Sequence, residues 1–458
     1  MERIREANDI EVVHTADLCV LGGSCTGVFA AVRAAQAGLT VALVENNAFF
    51  GGVATAGLVN IWHSLWDTEN KRQIVGGLTQ EMVQRLQRRD AADVREPNEH
   101  LYAILNTAEL ACELDELVRE QQAPGGTPRI RPFLHARFAA PHVEDGRMIA
   151  AIIEDKSGRR AIRASYFIDA TGDGDVIARL GLPFTLNDDP QPPTVCCYLT
   201  GLDDVIRQNP GFELQRAVHD PRFPNALKQG TLWSARVPGA QQIAMVAGTR
   251  AHGADCSDAD QLTRAEIECR RQVRAIRDIL RHNFTGGEAV SLAAVSSYIG
   301  IRESRHASCL HRLTELEVLD GIRFPDAIAN GSYRVDVHHS TKAGITFRYL
   351  DGTEICSAPG QPWVKGRWRE ERAVNPTFYQ IPYRSLVPQG AKNVLAAGRL
   401  IDADRGAYGA IRVMVNCNQT GEAAGLASAL ALHAGVDVGE IDTARLREKL
   451  AQHGGIVI

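Results

Sequence analysis

Long apolar runs are missing from this 458-residue chain. No stretch approaches the ~18 consecutive apolar residues of a membrane-spanning helix. The opening MERIREANDIEVVHTADLCVLGG lacks the apolar core and small-residue cleavage site of a secretory signal. A soluble, cytoplasmic protein is therefore expected. Basic clusters are missing as well: the net charge is −5, and no run of Lys or Arg, alone or interleaved with aromatics, offers a surface to nucleic acid or an anionic membrane. The ten cysteines are scattered without a C-x-x-C pair, and the adjacent Cys196 and Cys197 are poorly placed to bond each other. Reduced, buried thiols are expected, and no cysteine pair is available for a thiol–disulfide relay. His306, Cys309 and His311 have a ligand-like spacing but no fourth ligand beside them, so no metal is predicted. Internal repeats and low-complexity tracts are absent. With 45% hydrophobic and 23% charged residues, the chain can bury a large core and is long enough for two structural units.

Residues 17–45 read DLCVLGGSCTGVFAAVRAAQAGLTVALVE. The apolar run Leu18 to Leu21 meets a glycine-rich turn, a small-residue helix runs to about Gly38, and a second strand, Thr40 to Val44, ends in Glu45. Strand, turn, helix, strand and terminal carboxylate in this register are what a dinucleotide site requires. Gly22 allows the tight turn and Gly27 lets the helix pack on the strand. The helix N-terminus offers unpaired N–H groups to a pyrophosphate, and Glu45 accepts from ribose hydroxyls. One departure stands in Gly22-Gly23-Ser24-Cys25-Thr26-Gly27: the central glycine of G-x-G-x-x-G is Ser24. Its small hydroxyl could donate to a phosphate oxygen or shift the pyrophosphate slightly. A tight βα turn in another α/β fold is the competing use of the same segment. No second G-x-G-x-x-G follows, so a built-in nicotinamide domain is not expected.

Directly after Glu45 comes NNAFFGGVATAGLVN, where Gly51 and Gly52, with Ala54, Thr55 and Ala56, permit another close backbone approach that a nicotinamide domain does not need. With its Glu-x(5)-Gly-Gly pattern, the chain resembles the FAD-dependent oxidoreductase family of glutathione-reductase-like flavoproteins. The segments at 156–184 (with Ala-Thr-Gly-Asp-Gly-Asp), 299–306, 323–338, 379–399 and 397–432 are similar to family blocks in the same order. The resemblance implies an α/β fold with a Rossmann-like three-layer FAD domain, assembled discontinuously from residues 12–185 and 390–458. An α+β substrate domain is inserted at 186–389. Cofactor contacts are expected from Gly22, Gly23, Ser24, Cys25, Thr26, Gly27, Glu45 and Asn46. Further contacts are expected from Gly51, Gly52, Ala54 and Thr55, from Ala170, Thr171, Gly172 and Asp175, and from Gly398, Arg399, Arg412 and Gly421. A small-residue helix is expected to begin near Thr420, its N-terminus aimed at the flavin pyrimidine edge. Within the insert, 239–251 reads as strand and 261–283 as a structural helix.

A flavin transfers the electrons, so the protein must orient substrate and handle a proton. His338 and His339 are the best base candidates, and Asp336 and His338, two apart on extended backbone, share one face. Arg302 and Arg384 can clamp a carboxylate, as can Arg305, Arg399 and Arg412, although each arginine also suits a structural ion pair. Tyr383 is a hydroxyl donor or a core residue. His63, Trp62 and Trp66 follow the flavin-proximal segment and are placed to wall a substrate cavity. The expected reaction is hydride transfer from a small polar alcohol, amine or acid, with oxygen, a quinone or a protein carrier as electron partner. Reduction of an activated C=C bond and monooxygenation are alternatives, as is a flavin-binding protein without turnover. Substrate, electron partner, flavin attachment and any homo-oligomer are left open.

Overall fold

The Val12–Leu21 strand ends in four consecutive buried residues, Leu18 to Leu21, as a strand covered on both faces should. In the computed structural model, which describes residues 9–94, 102–228, 232–340, 344–358 and 362–458, this strand is central to a seven-stranded sheet. Ile130–Phe133, Val41–Val44, Val12–Leu21 and Gly158–Asp169 lie side by side and parallel, and Val394–Ala396 pairs in parallel with Gly158–Asp169. Arg147–Asp155 and Arg137–Glu144 continue the sheet antiparallel. The result is a mixed α/β architecture in which the first and last parts of the chain share one sheet.

The Cys25–Gln36 helix packs on the Met414–Ala434 helix at glycine distance. A Cβ at Gly421 would stand 2.1 Å from the Thr26 carbonyl oxygen, and one at Gly425 2.2 Å from that of Ala30. The second helix begins six residues earlier than Thr420. Buried on nearly every face, it shows no amphipathic stripe, and its polar residues resemble a loop in sequence. Instead they bond internally: Asn416 Nδ2 donates to Tyr379 Oη at 2.9 Å and Gln419 Nε2 to the Asn330 carbonyl at 2.8 Å.

Between these segments lie two four-stranded antiparallel sheets. One joins Trp233–Val237, Ala240–Ala247, Cys196–Thr200 and Ser291–Val295, and packs against the 25-residue helix Ala259–Asn283. The other joins Val335–His338, Ile345–Arg348, Thr353–Ser357 and Val364–Arg367. Residues between Val195 and Ile301 form their own apolar core, whereas Ile328, Val335, Tyr379 and Tyr383 pack into the core of the seven-stranded sheet. A smaller sheet joins Ile61–His63, Tyr102–Leu105 and Ala92–Val94. No helix among the described residues is long and apolar enough to cross a membrane. All ten cysteines are free and all but Cys112 and Cys356 are buried.

Candidate active site

A cavity of about 790 Å³ opens at the carboxyl ends of the parallel strands, within the range of small-molecule and cofactor sites. Gly22, Ser24, Cys25 and Thr26 line one end. Gly22 has φ +105°, and a Cβ there would lie 2.3 Å from the Ala170 carbonyl oxygen, so only glycine lets the two strand ends close up. The Gly23 N–H donates to Glu45 Oε2 at 2.7 Å, and the Asn47 N–H and amide both donate to Oε1 at 2.7 Å. Burial pushes the Glu45 carboxyl up, while these donors from Asn47 and Gly23 oppose it. Asn46 lines the cavity beside it.

The departure at Ser24 has a structural answer. Ser24 caps the Cys25–Gln36 helix without a side-chain hydrogen bond, and Gly52 makes room for it: a Cβ at Gly52 would come within 2.8 Å of that of Ser24. Gly51 and Gly52 line the cavity, whereas Ala54 and Thr55 do not. Ala54 is buried in the turn and Thr55 Oγ1 donates to the Phe50 carbonyl at 2.7 Å, which makes them shapers of that turn. Gly23, Gly27 and Gly421 likewise stand behind the wall. A Cβ at Gly27 would meet the Gly22 carbonyl oxygen at 1.8 Å, so it serves packing, as does Gly421.

On the other side stand Ala170, Thr171, Gly172, Asp173 and Asp175. Their loop is tied down by Asp169, which the sequence reading passed over: its carboxylate accepts from Thr171 Oγ1 at 2.6 Å and from the Val176 and Ile177 N–H groups at 3.0 and 3.1 Å. Burial pushes Asp169 up to about 6 despite those donors. Gly398 and Arg399 complete this wall, with Arg399 held by Asp173 at 2.5 Å and by Ser304 at 3.0 Å. Val413, Met414, Cys417 and Asn418, around the start of the Met414–Ala434 helix, also face the cavity. Both amide atoms of Asn418 are buried without a partner. An amide in that condition suits a polar ligand edge, and nothing in sequence sets Asn418 apart from the neighbouring Asn416 and Gln419, which bond within the protein.

At the far end, the Val335–His338 strand presents Asp336 and His338 to the same cavity, with the His338 Nε2 3.3 Å from Asp336 Oδ1. Tyr333 Oη donates to Asp336 Oδ2 at 2.8 Å, and Arg412 lies 3.4 Å from the same oxygen. Burial works against the Asp336 charge, yet His338, Arg412 and Arg334 hold its carboxyl well below the ordinary range. Burial drives the His338 imidazole down to about 3, against the pull of Asp336, so it stays neutral at physiological pH. Arg302 also lines the cavity, and burial lowers it to about 9. Its Nη1 donates at 2.6 Å both to the Pro192 carbonyl and to Thr194 Oγ1.

Several expectations need correction. Arg384 does not reach the cavity: it pairs with Asp326 at 2.9 Å and its side chain is 46% exposed. Tyr383 is core, its hydroxyl donating to the Val438 carbonyl at 2.7 Å. His339 points away from His338, as alternation on a strand dictates, and pairs with Thr346 Oγ1 at 2.9 Å. The same alternation buries Trp62 and turns Ile61 and His63 to the cavity, while Trp233 and Trp363 line it in place of Trp62 and Trp66. His306, Cys309 and His311 are engaged separately, with Glu303, Asp402 and Glu317.

A turn that only glycine can make, a helix start without a side-chain cap, a carboxylate at the end of the Val41–Val44 strand and the orphaned Asn418 amide together fit FAD. A family model for FAD dependent oxidoreductases matches residues 17–450. No curated protein sequence matches the chain. Among solved structures, a geranylgeranyl bacteriochlorophyll reductase-like protein from Thermoplasma acidophilum is 11% identical, with 96% of this chain and 84% of that one covered and a TM-score of 0.47. A myxobacterial chondrochloren halogenase is 13% identical, covering 96% and 79%, with a TM-score of 0.40. The p-nitrophenol 4-monooxygenase of Pseudomonas putida is 14% identical, covering 66% and 70%, at 0.41. The match over nearly the whole sequence shows that the chain is an enzyme that uses FAD and belongs to the FAD-dependent oxidoreductase family.

Proposed function

We propose that this enzyme oxidises a small polar alcohol, amine or acid by hydride transfer, with His338 as the proton acceptor. The observation that carries the reading is that the His338 imidazole and the Asp336 carboxylate, 3.3 Å apart, share one cavity with the glycine turn at Gly22. FAD, when bound, would supply the acceptor for the hydride. The proton left on the substrate heteroatom goes to His338. Asp336 beside Nε2 selects the tautomer that keeps a lone pair on Nδ1, and its charge stabilises the imidazolium as it forms. Nδ1 faces Arg250 Nη2 at 3.5 Å, a weak contact that a substrate hydroxyl can replace. Arg302 and Arg412 keep the site positive. The first turn of the Cys25–Gln36 helix holds the pyrophosphate, Glu45 the ribose, and Asn418 a polar edge of the flavin. This assigns residues 12–185 and 390–458 to a glutathione-reductase-type FAD domain around an inserted 186–389; the separate core at 195–301 supports the first part of that insert, while residues such as Ile328 and Tyr379 pack into the main core.

The test has two steps. FAD should appear in the supernatant after acid precipitation of the yellow protein. Anaerobic mixing with candidate alcohols, amines and hydroxy acids should then bleach the flavin. Absence of bleaching across the set, with bleaching by NADPH instead, would sink the proposal in favour of a reductase or monooxygenase.

A further inference from the structure

Of the arginines lining the substrate end of the cavity, Arg302 and Arg412 donate to protein acceptors. Arg334 differs. It lines the cavity, its Nε is shielded from solvent with no acceptor, and it makes no hydrogen bond or ion pair with any described residue. Its contacts are rings: the guanidinium carbon lies 4.3 Å from the centroid of Phe347 and 5.0 Å from that of Tyr333. The nearby carboxylate, Asp336, turns its oxygens to His338, Tyr333 and Arg412 instead. A guanidinium with five donors and no acceptor, inside a cavity, is set up to take a planar anion two-handed.

The surroundings define the rest of that ligand. His63 lies tilted against Tyr333 at 4.5 Å and meets Tyr102 at 6.3 Å, and Trp363 lies parallel to Phe347 at 5.9 Å. All five rings line the cavity, and Arg334 lies against one ring of each group, Tyr333 and Phe347. Flat aromatic bodies suit such a wall. Along the chain, Arg334, Asp336 and His338 alternate, so the cation and the proton acceptor stand on one face, with Cα atoms about 13 Å apart if the backbone is extended. An anion on Arg334 and a carbon reacting at His338 are then held at separate points of one substrate.

We infer that Arg334 binds the carboxylate of an aryl carboxylate substrate whose oxidisable carbon lies at the other end of the ring, facing His338. This deepens the hydride-transfer reading and rests on it for the reacting end only. The step balances as before: the carbinol C–H leaves as hydride to oxidised flavin, the O–H proton goes to His338, and the carbonyl forms.

The probes are 4-(hydroxymethyl)benzoate and its neutral counterpart 4-(hydroxymethyl)benzamide. They are titrated into the flavin-loaded protein under anaerobic conditions, with tryptophan fluorescence reporting binding and 450 nm absorbance reporting reduction. The expected result is a preference of about tenfold or more for the carboxylate, lost in Arg334→Met and partly kept in Arg334→Lys. Equal affinity for acid and amide in the wild type overturns the inference, as does an unchanged preference in a yellow, cooperatively melting Arg334→Met. Should that variant not fold, an unchanged preference in Arg334→Lys overturns it, and a loss of several-fold supports it. Arg334-dependent binding without bleaching supports the carboxylate site and counts against the hydride reading, whereas bleaching without acid preference does the reverse.

Discussion

The two ends of the cavity are made of different material. At the end of the glycine turns much of the wall is backbone, shaped by Gly22, Gly51, Gly52, Gly172 and Gly398, with the carboxylates Glu45, Asp173 and Asp175 beside it. At the substrate end it is side chains, Arg302, Arg334, Asp336, His338 and the aromatic wall, carried on antiparallel sheets. A cofactor common to many reactions can be held by main-chain N–H groups and close approaches. Discrimination among substrates needs side chains that can be exchanged one at a time.

That contrast is broken most severely at Gly22. Gly22→Val puts a side chain 2.3 Å from the Ala170 carbonyl oxygen at φ +105°, so the two strand ends must separate. The expected loss is on the order of 3 kcal/mol or more of stability, together with the flavin. Absorbance at 450 nm and a thermal melt check it. Gly125→Ala is the control: φ is +94° but nothing lies within 4 Å, so only the left-handed strain of about 1–2 kcal/mol is felt and the protein stays yellow.

The opposite outcome is expected at the other end. His338→Gln should leave the holoprotein yellow and lower the rate of flavin reduction by about 10²–10⁴-fold, read by anaerobic stopped flow. Retained turnover would remove His338 from the mechanism. The same variant tests acid stability. His338 titrates near 6.5 in the unfolded chain but only at about 3 when folded, so between those values the unfolded state binds the extra proton. Stability therefore falls as pH drops through that window, and His338→Gln should melt at a temperature that depends less on pH there.

Intermediate in size is Glu45→Gln, which keeps the shape but removes the charge that receives the Gly23 and Asn47 donors and lines the cavity where the ribose is proposed to sit. FAD affinity should fall by about tenfold or more in apoprotein titrations, with the rate of flavin reduction at saturation unchanged. A change in that rate instead would mean that the two ends are not separable.

The same division decides what could be read without coordinates. Gly22 to Glu45 is contiguous and its spacing has a mechanical reason, so turn, helix and carboxylate were all legible; Asp336 with His338 followed from strand alternation alone. The aromatic wall was not, because Tyr102, His63, Tyr333, Phe347 and Trp363 come from segments brought together only by sheet packing. Trp62 was misplaced for a smaller reason: adjacency to His63 suggested a shared role, when period-two geometry forces neighbours to opposite faces. The Met414–Ala434 helix was read six residues short because a helix buried all round has no polar stripe to mark its phase.

The smallest effects are expected where family-like blocks carry structure and not chemistry. Tyr383→Phe removes a buried hydroxyl from the Val438 carbonyl and should cost about 1–3 kcal/mol in a melt, because that acceptor is left unpaired, while flavin content and reduction rate hold. Arg384→Gln should cost less, about 0–1 kcal/mol, since the guanidinium is half in solvent and the Arg384 N–H still reaches Asp326 at 3.3 Å. If either variant slowed flavin reduction tenfold with its melt unchanged, the line drawn here between wall and support would be wrong at that residue. Rate and melt moving together would keep it, because a supporting residue acts on the site only through the fold it stabilises.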